Sequence, residues 1–123
     1  MDSKAIVEEF IAAWNNADME AALGLMASNI VWHNIPMEPA VGIEACQALM
    51  ASFPPIEETN WIRHHIIADG NVVMTERTDN FTLTGGRNAA IRVMGIFEID
   101  GDGKIAKWRD YFDGEEMAKQ FGV

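Results

Sequence analysis

Arg77, Asp79 and Asp110 are the side chains on which chemistry can be built. The first two lie in Thr75-Glu76-Arg77-Thr78-Asp79, the third in Trp108-Arg109-Asp110-Tyr111-Phe112-Asp113, and both segments read as β-strands. Residues two apart on a strand point to one face. Arg77 and Asp79 therefore share a face with Thr75 and Phe81, while Asp110 shares one with Trp108 and Phe112. The aromatic neighbours predict that these faces are buried. A buried carboxylate is costly unless a charge or hydrogen bonds compensate it. One guanidinium between two carboxylates supplies that compensation and makes an acid/base pair. The plain alternatives are a structural ion pair for Arg77 with Asp79 and a solvent-facing strand end for Asp110.

Other candidates are weaker. Asn34 follows Trp32 by two and faces the same way, placed either to satisfy backbone groups or to hold a water. His33 points the opposite way. His64 and His65 are adjacent in a strand and are expected on opposite faces. No histidine pair has metal-ligand spacing, and one cysteine builds no zinc site, so no metal is expected. Gly85-Gly86 reads as a hairpin, with no phosphate-loop pattern around it. The methionines, among them Met26, Met37, Met50, Met74 and Met94, most simply fill a core; thioether chains also suit a lipophilic pocket.

The elements that position these residues follow from periodicity. Val7, Phe10, Ile11 and Trp14 make one apolar stripe, predicting a helix over 3–15 capped by Asp2 or Ser3. Asp18 caps a second helix that carries Met19, Ala22, Leu23 and Met26 and is expected to end near residues 27–29. A short strand over 30–35, a Pro/Gly loop and a helix over 42–52 come next. The period then changes to two. Strands are predicted over 60–68, 71–82, 88–99 and 104–112, with turns at Asp69-Gly70, 83–87 and 100–103. Asp113 caps a last helix over 114–121. Helices first and an antiparallel meander after them predict an α+β domain spanning 1–123. Its sheet is strongly curved, the N-terminal helices cover the concave face, and a pocket opens at one end. The other face carries Met94 and Ile96, which predicts a homodimer.

Composition limits the partners. The 123 residues are 49% hydrophobic, enough for a core, and the net charge is −10 with a pI near 4.5. Nucleic acid and anionic membrane surfaces are disfavoured, because phosphate binding needs clustered cations. Cys46 stands alone in a helix-like stretch, so no intramolecular disulfide forms. With no basic start and apolar run at the N-terminus, and no apolar stretch near the ~20 residues of a membrane helix, the expected location is cytoplasmic.

Three segments together resemble the limonene-1,2-epoxide hydrolase family, within the superfamily of nuclear transport factor 2 and the SnoaL-like polyketide cyclases. Glu76-Arg77-Thr78-Asp79 is similar to that family's Arg-x-Asp strand. Trp108-Arg109-Asp110-Tyr111-Phe112-Asp113 is similar to its last-strand motif, and Trp32-His33-Asn34-Ile35-Pro36 to the strand that holds its water. The resemblance implies a mixed, mostly antiparallel sheet around a cone-shaped pocket, and one-step epoxide hydrolysis without a covalent intermediate or cofactor. It implies Asp110 as general base, Asn34 as water holder, Asp79 as general acid and Arg77 as the bridge. Trp32, Trp108 and Phe112 are then walls for a small lipophilic substrate. The chemistry asks for the same pair: the epoxide oxygen leaves poorly unless protonated, and water attacks poorly unless deprotonated.

The chain departs from the family at Trp32, where the family has tyrosine. An indole N–H donates one hydrogen bond and accepts none. The departure predicts a water held by fewer partners in a narrower pocket. Two other functions fit the same residues: an isomerase or cyclase of the ketosteroid-isomerase or SnoaL-like type, and a non-catalytic binder of a lipophilic ligand.

Overall fold

The computed structural model describes residues 2–122; Met1 and Val123, the two ends of the expected domain, lie outside them. Helix α1 (Ser3–Asn15) starts where the Asp2 carboxylate accepts the Ala5 N–H at 3.1 Å. It buries Val7, Phe10 and Ile11, the stripe that its sequence spacing requires. Helix α2 (Met19–Gly24) is capped in the same way by Asp18.

The second helix is shorter than its apolar spacing predicts. It stops at Gly24, and Met26–Asn34 is strand β1. Met26 fits a helical stripe and a strand equally well. Long-range pairing decides: Met26 lies beside Ile105, whose N–H donates to the Leu25 carbonyl at 2.8 Å. A register shift between Met26 and Val31 absorbs the mismatch. The Pro/Gly loop contains one short strand, β2 (Ala40–Val41), which pairs with β1.

Helix α3 (Ile43–Ala51) precedes β3 (Ile56–Asp69), β4 (Val72–Leu83), β5 (Asn88–Ile99), β6 (Ile105–Tyr111) and α4 (Gly114–Phe121). Asp113 caps α4 by accepting the Glu115 and Glu116 N–H groups. The strand order is β2-β1-β6-β5-β4-β3, antiparallel except for the parallel pair β1–β6. First and last long strands thus meet in the middle of the sheet, an adjacency that no local pattern reveals.

The curved sheet closes around an aromatic core. Trp32 and Trp108, partners across β1 and β6, stack at 4.3 Å with 2° between their planes. Phe10 meets Trp108 edge-on at 5.1 Å, and Trp14 stacks on Trp61 at 5.1 Å. Such pairs contribute about 0.5–1.5 kcal/mol each beyond area burial. The indole N–H groups of Trp14, Trp32, Trp61 and Trp108 are all buried without a hydrogen-bond acceptor among the described residues. Cys46 is wholly buried in the same core, where burial pushes its thiol pKa up and keeps it inert.

Three further expectations change. Strand β3 begins at Ile56, four residues early, because it is an edge strand formed by pairing with β4 and its polar start needs no burial. A bulge between Arg63 and His65 turns both His64 and His65 to the outer face. There His64 Nε2 lies 2.8 Å from Thr78 Oγ1, and His65 faces Glu76. Met74, read as core, is about half exposed on that same outer face, as is Met94, which its strand position had already placed there. Among the described residues no helix is long and apolar enough to cross a membrane.

Candidate active site

Strand register assembles the site. Asn34 on β1, Asp110 on β6, Gly95 on β5 and Thr75 on β4 are successive partners in one row across the inner face. Arg77 and Asp79 occupy the next two inward positions along β4. All of the expected catalytic set, Asp110, Asp79, Arg77 and Asn34, is buried in one place.

Arg77 is 1% exposed, and every N–H of its guanidinium has an acceptor. Nε and Nη2 donate to the two oxygens of Asp79, both at 2.9 Å. Nη2 and Nη1 donate to Asp110 Oδ2 and Oδ1 at 3.0 and 3.3 Å. The fifth hydrogen bond runs from Nη1 to Thr75 Oγ1 at 3.0 Å. Thr75 Oγ1 in turn donates to the Gly95 carbonyl at 3.5 Å. The Trp61 ring lies under the cation, 4.8 Å from its centre. Arginine presents five donors in a fixed planar fork, so this seat holds both carboxylates rigidly.

Gly95 and Thr75 complete the seat. In the sequence Thr75 alternates with Arg77 and Asp79, and Gly95 with Val93 and Phe97, so each belongs to an apolar-lined strand face. A Cβ at Gly95 would lie 2.3 Å from Arg77 Nη1, 2.7 Å from Asp110 Oδ1 and 2.9 Å from Thr75 Oγ1. The guanidinium crosses from β4 to β6 through the gap that this missing side chain leaves. An isolated glycine in a strand interior marks such close approaches, and that was the available signal.

Electrostatics separates the groups. Burial alone would lower the Arg77 pKa, but the charges and hydrogen bonds of Asp110 and Asp79 outweigh it and push the value up. Burial raises the pKa of Asp79; hydrogen bonds from Arg77 and its charge pull it down, without cancelling the rise. Two carboxylates beside one guanidinium leave one buried negative charge uncompensated, and a proton on Asp79 removes it.

The carboxylates face a cavity of about 80 Å³ whose walls are almost wholly apolar. Trp32, Trp108 and Phe112 line it, as do Asn34, Asp79 and Asp110. The Asn34 amide enters no side-chain hydrogen bond among the described residues, so its donor and acceptor remain available to the cavity. Trp32 points inward as expected, but its N–H is buried in the core without an acceptor. It offers the cavity its ring. His33 faces the other way, with Nε2 2.9 Å from the Met37 carbonyl, and takes no part. Among the described residues no three metal-ligating side chains converge.

Two buried carboxylates, one of them with a raised pKa, and an unengaged amide stand at the head of an apolar cavity. A family model described as the limonene-1,2-epoxide hydrolase catalytic domain matches residues 1–122. Epoxide hydrolase EphG of Mycobacterium tuberculosis is 34% identical over 113 residues, 92% of this chain and 74% of that protein. The solved structure of an M. tuberculosis LEH-like epoxide hydrolase superposes with a TM-score of 0.82 at 32% identity, over 97% of this chain and 88% of that one. A nuclear transport factor 2-like protein of unknown function from Burkholderia pseudomallei superposes with a TM-score of 0.86, at 20% identity and full coverage of both chains; it shares the fold.

Proposed function

The chain belongs to the limonene-1,2-epoxide hydrolase family, and on that premise we propose that it adds water to a small lipophilic epoxide in one step, giving a vicinal diol. The observation that carries this reading is the saturated Arg77 fork, which fixes two cavity-lining carboxylates while Asp79 holds its proton more tightly than an ordinary aspartate.

Asn34 and Asp110 are register partners and both face the cavity. A water there donates one hydrogen bond to Asp110 and one to the Asn34 oxygen. Asp110 takes its proton as the oxygen attacks an epoxide carbon. As that C–O bond forms, the ring C–O bond breaks, and Asp79 gives its proton to the departing oxygen. The diol leaves with Asp110 protonated and Asp79 ionised. One proton passed from Asp110 to Asp79 through solvent restores the start. General acid and general base typically contribute ~10²–10⁴-fold each. Arg77 keeps the two carboxylates apart in role and fixed in place. Trp32, Trp108 and Phe112 bind the apolar part of the substrate, and with the Trp32 N–H turned into the core, Asn34 and Asp110 alone hold the water.

The test is a single turnover of limonene oxide, cyclohexene oxide and styrene oxide in heavy-oxygen water. The expected product of the first turnover is a diol carrying one heavy oxygen, lost in Asp110→Asn. An unlabelled first-turnover diol, with the label arriving later, replaces the one-step reading by an ester intermediate. No diol from any of the three at high enzyme concentration sinks the hydrolase reading.

The same proposal places the enzyme as a homodimer joined through the outer sheet face, where Ile62, Ile67, Met74, Met94 and Tyr111 are exposed. It also places it in the cytoplasm, the reducing compartment that a lone buried cysteine suits.

A further inference from the structure

The catalytic cavity is too small for a whole substrate of ordinary size. Its volume of about 80 Å³ compares with roughly 300–1,000 Å³ for small-molecule sites in general. A second hollow adjoins it. A surface groove of about 780 Å³ runs between α2, α3 and the start of β3, walled by Met19 and Leu23 from α2, Met50 from α3, and Phe53 from the loop after it. Trp14, Phe53 and Ile56 line both spaces. Cavity and groove are therefore the two sides of one thin aromatic and aliphatic partition. Phe53 is the part of it outside helix and strand: it is half-buried and meets Trp32 edge-on at 6.1 Å.

The groove's chemistry narrows what it takes. Its flexible thioether walls adapt to an apolar chain. Among the described residues no Lys or Arg lines it, and Glu57 and Glu58 do. On a chain of net charge −10, that repels a carboxylate and accepts a neutral chain.

We infer that this groove binds an extended, uncharged alkyl tail of the substrate, whose epoxide end enters the cavity past Phe53. The inference rests on the hydrolase reading and adds the substrate class: long-chain terminal epoxides without an anionic group, in preference to compact ones that must fit the cavity alone. Leu23, Met50 and Phe53 then set specificity without touching the reacting atoms.

The experiment measures kcat/KM for 1,2-epoxyalkanes from butane to dodecane length, beside an epoxide bearing a terminal carboxylate on a chain of dodecane length. Each methylene that enters the groove is expected to raise kcat/KM roughly threefold, and the carboxylate to cancel the gain. Ala51→Phe and Gln47→Trp, both at exposed groove positions, are expected to reduce the long-to-short ratio by about tenfold or more while the short epoxide is turned over as before, which also reports intact folding. A flat chain-length profile, or an unchanged ratio in both variants, overturns the inference and leaves the hydrolase reading standing. Should no epoxide be turned over, the hydrolase reading fails, and 1,2-alkanediols titrated against tryptophan emission still decide the groove. Affinity rising with chain length supports it; affinity independent of length overturns it.

Discussion

Asp79 is where burial and ion pairing oppose each other most directly. Its two oxygens receive 2.9 Å hydrogen bonds from Arg77, an arrangement that favours the ionised form. Burial nonetheless prevails and raises its pKa. For an acid catalyst the sign matters: the useful form is the protonated one, so kcat/KM of the free enzyme is expected to fall as pH rises through the raised Asp79 value. In Asp79→Asn that alkaline limb should vanish along with ~10²–10⁴-fold of the rate. Stability follows the same proton. A group whose pKa is higher folded than unfolded favours the folded state at low pH, and its contribution is lost between the ordinary aspartate value, about 4, and the raised one. The denaturation midpoint of the native chain should therefore decline across that window relative to Asp79→Asn. A pH–rate profile that keeps its alkaline limb in the variant removes Asp79 from the acid's role.

At the scale of elements, the site depends on what a strand omits as much as on what it carries. Strand β5 lies between the strand that bears Arg77 and the strand that bears Asp110. The guanidinium spans that strand only because position 95 has no side chain. In Gly95→Ala the new methyl meets Nη1 well inside contact distance, and both partners are held by buried hydrogen bonds that leave little room to yield. The expected result is a loss of about 10²-fold in kcat/KM, as misplacement by an ångström can cost, with about 1–3 kcal/mol of stability lost to overpacking. Kinetics and chemical denaturation on the one variant check both; an active, equally stable Gly95→Ala protein means that Arg77 does not need this seat. A second element-level device holds the seat from outside. The Asn15 side chain, at the end of α1, accepts the Trp61 backbone N–H at 2.7 Å and donates to the Trp61 carbonyl at 3.1 Å. That clasp pins edge strand β3 against the helix and sets the Trp61 ring on Arg77.

For the whole molecule, the two sheet faces divide the work. The inner face has the core and the candidate site. The outer face exposes Ile67 to 70% and Met74, Met94 and Tyr111 to nearly half, while the chain as a whole carries a net charge of −10. Apolar side chains exposed among polar ones on one sheet face suit self-association, and a stable interface buries about 800 Å² per partner. Analytical ultracentrifugation is expected to find a dimer, and the double variant Met74→Glu with Met94→Glu a monomer with its fold retained. A monomeric native chain at micromolar concentration sinks the dimer.

Sequence alone determined which residues share a face on the regular strands. Alternation on the strands over 72–83 and 105–111 fixes Arg77, Asp79 and Asp110 on buried faces, because side-chain direction on a strand is a local, period-two property. An apolar stripe and an aspartate cap placed α1, an aspartate cap placed α4, and the flanking Gly42 and Pro54-Pro55 bounded α3, all local signals. What tertiary structure decided was every relation between strands. The parallel pairing of β1 with β6 set Asn34 beside Asp110, shortened α2 to free Met26, and stacked Trp32 on Trp108 with its N–H in the core. The gap at Gly95, the bulge that turned His64 and His65 outward, and the groove beside the cavity are likewise outcomes of register and packing. Register joins residues far apart in the chain, and a pattern read along one strand holds no record of its neighbour.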